Sequence, residues 1–118
     1  MLPAPHRLRR PADFTLAVRR GRRAGSTRLA VHLMLPADAC DAPARVGLVV
    51  GKTVGQAVTR TRVKRRLRAV AAARLPLLPP GSLVVLRANP AAATATSADL
   101  GTDLDRALAR LLGTGAPS

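Results

Sequence analysis

The central segment of this chain constrains its fold more than any other. Residues 60–68 carry six positive charges in nine positions. Apolar residues nevertheless recur there at the spacing of one helical face: Val63, Leu67 and Val70. Such a segment forms a helix that docks through a narrow apolar seam and keeps the rest of its circumference charged. We therefore predict a helix over 56–74. Three of its cations form a row beside the seam: Arg60, Lys64 and Arg68.

Segments on both sides of this helix predict a sheet and two further helices. Partly alternating or short apolar runs favour strands at 27–35, 45–52 and 83–87, whereas 22–26 is interpreted as a turn. Helical periodicity predicts a short helix from Pro11 to about Arg20 and a final helix at 97–112. The order of these elements indicates an α/β sandwich of one sheet and a few helices. We expect one domain over 1–118, folded at about 7–112 and flexible at 1–6 and 113–118.

The charge balance indicates a polyanionic partner. Twenty Lys and Arg residues stand against six acidic ones, for a formal net charge of +14, while 47% of residues are hydrophobic. The chain therefore combines a folded core with a strong positive field, which favours nucleic acid. The central charge run could instead be an ordinary solvated face. No acidic residue lies between Asp41 and Asp99 to relieve its like-charge repulsion, so we favour nucleic-acid binding.

Other classes of protein find little support in the sequence. A single cysteine, Cys40, can form neither an internal disulfide nor a metal cluster. No apolar run approaches the length needed to span a bilayer, so we expect a cytoplasmic protein without membrane contact. The stretch from Gly47 to Thr53 has three residues between its glycines where a phosphate-binding loop has four. We interpret it as a buried strand ending in a turn, with Lys52 still placed to meet a phosphate.

Candidate catalytic or metal-binding groups are scarce. Asp99 and Asp103 share a helical face, but they lie near a helix start, where carboxylates complement the helix dipole. His32 lies within a strand and is interpreted as a packed or hydrogen-bonded residue. We therefore predict no catalytic residue and no metal site in this chain.

Four stretches in this order resemble the bacterial ribonuclease P protein component: Asp13–Phe14, Arg20–Arg23, Arg45–Val50 and Ala57–Arg68. The similarity covers about residues 7–112. It implies a two-layer α+β sandwich with three helices and a mainly antiparallel sheet of about four strands. It also implies that the basic helix sits in a left-handed β-α-β crossover, against the usual right-handed rule.

The resemblance also implies two RNA-binding regions. The basic helix would face a catalytic RNA subunit, and we assign Lys52 to the same surface. The helix residues implied are Arg60, Thr61, Arg62, Lys64, Arg65, Arg66 and Arg68. A cleft between the first helix and the sheet would bind the single-stranded 5′ leader of precursor tRNA through Phe14, Val18 and His32. Thr61 and Gln56 stand where the family has Asn, and Val18 and His32 stand where aromatic residues are common.

The function implied is that of the protein subunit of an endoribonuclease that matures the 5′ end of tRNA. Catalysis and the required Mg²⁺ would belong to the RNA subunit. The protein would be monomeric in a 1:1 complex with that RNA. Two alternatives remain open at this point: a ribosomal or other structural RNA-binding protein, and a nucleic-acid-processing enzyme with its own active site.

Overall fold

The chain folds into one sheet and three helices in the computed structural model, which describes residues 2–38 and 40–113. The helices are α1 (Pro11–Arg20), α2 (Ala57–Ala72) and α3 (Ser97–Leu112). The strands are β1 (Arg22–Gly25), β2 (Leu29–Met34), β3 (Arg45–Val49) and β4 (Leu83–Ala88). The predicted α+β architecture is confirmed. Short 3₁₀ turns at Lys52–Val54 and Pro90–Thr94 precede α2 and α3.

The sheet has the strand order β1-β2-β4-β3. Its β1-β2 and β2-β4 pairs are antiparallel, whereas β3 pairs with β4 in parallel. The sheet is therefore mainly antiparallel, as predicted. Because α2 connects two adjacent parallel strands, it forms a β-α-β unit, whose left-handed sense stays a prediction.

The prediction of a turn at 22–26 is wrong for most of that segment. Arg22–Gly25 forms β1, which pairs with β2 in the register Arg22↔Leu33 to Gly25↔Ala30. Two arginines and a glycine have little intrinsic preference for a strand. Backbone pairing with a neighbouring strand decides the conformation here.

The two faces of the sheet are covered unequally. One face packs against α2 and α3 and holds the main core, which includes Val31, Val84, Leu86 and Leu100. The opposite face carries a small cluster of Leu8, Ala17 and Val85, with Phe14 of α1 packed against it. The main core therefore holds α2 and α3 on one face of the sheet, whereas α1 covers only part of the opposite face.

The N-terminal segment lies along the outer edge of β3. Leu2 is buried, His6 Nδ1 lies 2.7 Å from the carbonyl oxygen of Ala44, and the Leu8 amide donates to the Val46 carbonyl at 3.0 Å. Leu2 and His6 thus contact the fold, whereas residues 3–5 between them are exposed. Met1 lies outside the described residues, and the flexibility of 1–6 stays a prediction. Of the predicted flexible end at 113–118, only Gly113 is among the described residues.

The helix-start role that the sequence predicted for Asp99 and Asp103 is found for Asp99 but not for Asp103. Asp99 and Thr96 form a reciprocal capping box, and its hydrogen bonds, helped by Arg28, hold the pKa of Asp99 below its ordinary value. The helix-start role predicted for Asp99 is therefore confirmed. Asp103 is buried instead in a two-bond ion pair, in which Arg28 Nε and Nη2 donate at 2.7 and 3.1 Å.

Candidate nucleic-acid interface

The basic helix docks through the seam that the sequence predicted. Val63 and Leu67 have no exposed surface and Val70 is 5% exposed, all three within the main core. The opposite side of the helix is open to solvent at Thr61, Arg65 and Arg68, and Lys52 is exposed on the turn before α2. Docking by a narrow stripe therefore leaves the charged circumference of α2 available to a partner.

No carboxylate neutralises this helix within the part of the chain that the structure describes. The ion pairs found there involve only Arg28, with Asp99 and Asp103, and Arg74, with Asp105. All the acidic residues of α3 are thus engaged by arginines outside the 60–68 run. The six cations of that run keep their full field, which suits them to bind phosphates.

Two of these cations also have a structural role. Arg62 Nη2 donates to the Ala93 carbonyl at 3.2 Å, and Arg66 Nη1 donates to the Ala95 carbonyl. These bonds tie α2 to the segment that leads into α3. Sequence reasoning missed them, because the spacing of arginines does not reveal which carbonyls lie nearby.

Arg60 differs from its neighbours in one nitrogen atom. Its exposure is intermediate, like that of Lys64, but its Nε atom is enclosed without a hydrogen-bond partner among the described residues. The remaining cations of the run, Lys64, Arg65 and Arg68, donate no hydrogen bond to the described part of the chain. These three are the most available phosphate ligands on α2.

A groove of about 200 Å³ crosses the edge of the sheet at β3 and connects the two predicted regions. Lys64 and Arg68 of α2 line one side, and Phe14 and Gly47 line the other. Arg7 and Arg9 of the N-terminal segment also line it, and sequence reasoning did not assign them to a site. Only the packing of the N-terminal segment on β3 brings their charges next to α2.

The predicted leader-binding residues lie on the face of the sheet that α1 partly covers. The Phe14 ring packs over Gly47 so closely that a side chain at position 47 would collide with it. Val18, one turn further along α1, is 44% exposed. His32 projects from β2 onto the same face as Val85, which lies directly opposite it in the register. The three predicted residues therefore share one face.

His32 is buried with its Nδ1 atom lacking a hydrogen-bond partner among the described residues. Burial, together with the positive charges of Arg23 and Arg87, lowers its pKa below the ordinary 6.5. Arg23 lies opposite His32 in the register and Arg87 lies two residues beyond Val85, so both share its face. Strand alternation could have revealed Arg87, but placing Arg23 required the unexpected strand β1.

The lowered pKa of His32 predicts a loss of stability in mild acid. The unfolded chain binds a proton at this residue more readily than the folded chain. The stability that comes from keeping His32 neutral is therefore fully present above pH 6.5, and it is lost as the pH falls below that value towards the folded-state pKa. We expect the melting temperature of the wild type to drop between pH 7.5 and 5.5, and to drop less in His32→Asn. If the melting temperatures of the wild type and of His32→Asn dropped equally, the pKa of His32 would not be lowered in the folded chain.

Carboxylates and histidines are dispersed over the described residues. No three of His, Cys, Asp and Glu come together there as a metal site would require. Arginines occupy both oxygens of Asp103 and of Asp105, and Asp99 Oδ2 accepts a hydrogen bond from the Thr96 backbone N–H. These residues do not fit a Mg²⁺ centre. No helix in the described ranges is long and apolar enough to cross a bilayer.

The fold and the site together define a small basic α+β protein with an unneutralised helix suited to polyanions. The ribonuclease P family model matches residues 2–112. The ribonuclease P protein component of Streptomyces avermitilis is 57% identical over 122 residues, covering 98% of this chain and 99% of its own length. That of a Nocardioides species is 50% identical over 111 residues, covering 94% and 95%. This chain therefore belongs to the ribonuclease P protein component family.

Solved structures support the fold independently. The ribonuclease P protein of Staphylococcus aureus superposes with a TM-score of 0.73 at 22% identity, covering 87% of this chain and 92% of its own. That of Thermotoga maritima gives 0.71 at 20% identity, covering 93% and 98%. Family membership makes the chain a component of the ribonuclease P ribonucleoprotein, which acts in tRNA processing.

Proposed function

We propose that this chain helps the catalytic RNA of ribonuclease P to remove the 5′ leader from precursor tRNA. In this proposal α2 and Lys52 bind the RNA subunit, and the face beside α1 holds the leader. The protein acts in the cytoplasm as one copy per RNA. One observation carries the proposal: the groove at the β3 edge is lined both by cations of α2 and by Phe14, so it joins the two binding regions.

The cations that line the groove can reduce the electrostatic repulsion between the two RNAs. The catalytic RNA and precursor tRNA repel each other, since both are polyanions. Four cations line the groove where the two proposed binding regions meet: Lys64 and Arg68 from α2, and Arg7 and Arg9 from the N-terminal segment. Cations in this position lower the repulsion at the point where the two RNAs approach, and arginine forks bind phosphate oxygens with two parallel hydrogen bonds.

The leader is held more by charge than by stacking. Phe14 is the only aromatic residue in the chain, so stacking, which contributes about 1–3 kcal/mol per base, is limited to one position. Val18 offers only aliphatic contact, while Arg23 and Arg87 beside His32 supply positive charge. We therefore expect little preference for leader sequence and a strong dependence on salt.

The chemical step belongs to the RNA. When bound by the catalytic RNA, Mg²⁺ would supply the activation of the attacking water, and the described residues of this chain hold no carboxylate cluster for that step. The protein binds the two RNAs, orients them and screens the charge between them. Arg60, Thr61, Arg62 and the cations that follow them act at the RNA subunit and not at the cleaved bond.

Reconstitution tests this function. The purified protein is added to the catalytic RNA and precursor tRNA at low Mg²⁺, and cleavage is followed with time. We expect the protein to accelerate cleavage, and to bind a precursor with a leader more tightly than the mature tRNA. Protein freed of RNA should cleave nothing. No acceleration would contradict the proposal and favour a structural RNA-binding role, and cleavage by the protein alone would contradict catalysis by RNA.

A further inference from the structure

A second basic surface lies at the opposite edge of the sheet from α2. Two adjoining depressions of about 420 and 200 Å³ run between β1 and the C-terminal half of α3, and both are lined by Ala24 and Arg110. We call this surface the β1 groove. Its cations come from both elements: Arg22 of β1, and Arg106 and Arg110 of α3. All three are exposed, whereas Arg23 lies opposite His32 in the register and faces the α1 side.

The acidic residues of α3 do not neutralise the β1 groove. Asp103 lines it, but its side chain is only 5% exposed and both its oxygens accept hydrogen bonds from Arg28. Asp99 is near the same arginine, and Asp105 pairs with Arg74 at the end of α2. Arg106 and Arg110 therefore stand one helical turn apart without a carboxylate within 4 Å in the described part of the chain. A bound anion would relieve their mutual repulsion.

The chemistry of the β1 groove indicates which polyanion it fits. Arg22 Nη1 donates to the Leu111 carbonyl, which neutralises the negative end of α3 and leaves its other nitrogens free. No aromatic residue lines the groove, so it lacks the platform on which unpaired bases stack best. Arginine forks bind phosphate oxygens, and a double helix exposes its phosphates while its bases stay stacked on one another.

We propose that the β1 groove binds a double-helical RNA segment through its phosphates, separately from the surface of α2. β1 and β3 are the two edges of the sheet, three strand spacings or about 14 Å apart. The two basic surfaces therefore lie at opposite edges of the sheet, where each can contact a different RNA segment. The chain then acts as a bridge between them, in addition to the function proposed for α2 and the α1 face.

The variant Arg106→Gln/Arg110→Gln tests this surface, with Arg19→Gln/Arg20→Gln as a control of equal charge loss on exposed residues of α1. Binding to the catalytic RNA and to precursor tRNA is measured separately across a salt series. Losing two phosphate contacts should lower the salt slope by about 1.8 and weaken binding about 60-fold at 0.1 M salt for the RNA that occupies the groove. The control should weaken binding only a few-fold.

If the groove variant and the α1 control weakened binding equally, for both RNAs, the proposal would be overturned. Both variants keep all the charges of α2, so this result would not count against the function proposed for that helix. A second measurement locates the contact. In a Cys40→Ser background, Ala109→Cys in the groove carries a tethered iron chelate that cleaves nearby RNA. We expect cleavage within a base-paired segment of the assembled complex. Cleavage confined to unpaired nucleotides, or none above the untethered reagent, would refute a double-helical occupant.

Discussion

Leu67→Asp is expected to unfold the domain. Leu67 has no exposed surface and lies where α2 meets the main core. Losing a buried leucine side chain costs about 2–5 kcal/mol, and an unpaired buried carboxylate adds several more. A domain of this size has a free energy of unfolding of about 6–18 kcal/mol, and a core built without aromatic area favours the lower part of that range. Circular dichroism should show loss of the cooperative thermal transition.

Ala69→Asp is the matched control for this prediction. It places the same carboxylate two residues away on the exposed side of α2. Its cost should be limited to the difference in helix propensity, about 0.7 kcal/mol. A melting temperature of Leu67→Asp close to that of Ala69→Asp would mean that α2 does not dock through this seam.

Lys64→Gln/Arg65→Gln/Arg68→Gln is expected to weaken binding to the catalytic RNA about 170-fold at 0.15 M salt. Each lost phosphate contact removes about 0.9 from the salt slope on double-helical nucleic acid, so three should remove about 2.7. Glutamine removes the charge, stays polar and has a similar helix propensity, and these three side chains donate no hydrogen bond to the described residues. The melting temperature should therefore change little. Filter binding across a salt series, paired with calorimetry, measures both quantities.

Arg62→Gln/Arg66→Gln provides a contrast on the same helix. These arginines donate to the carbonyls of Ala93 and Ala95, so their loss should lower the melting temperature as well as RNA affinity. If the triple variant kept wild-type affinity and salt dependence, the exposed side of α2 would be solvated surface and its assignment to the RNA would be wrong.

The sequence predicted those elements whose pattern comes from their own residues. The helical period at Val63, Leu67 and Val70 placed α2, and the strand runs placed β2, β3 and β4, each within a few residues of its observed ends. The absence of acid between Asp41 and Asp99 predicted an unneutralised basic helix. These features are local, because periodicity and composition act along a continuous stretch of chain.

Tertiary structure alone decided which charges act together. β1 forms because β2 supplies its hydrogen-bonding partner, and Leu2 is buried because β3 offers it an edge. The same packing places Arg7 and Arg9 beside Lys64 and Arg68, more than fifty positions away in the chain. It also directs Arg28 to Asp103, which leaves Arg106 and Arg110 without an acid. Residue spacing fixes neighbours along one helix or strand, whereas the partners of a charge depend on contacts between distant segments, which no local pattern encodes.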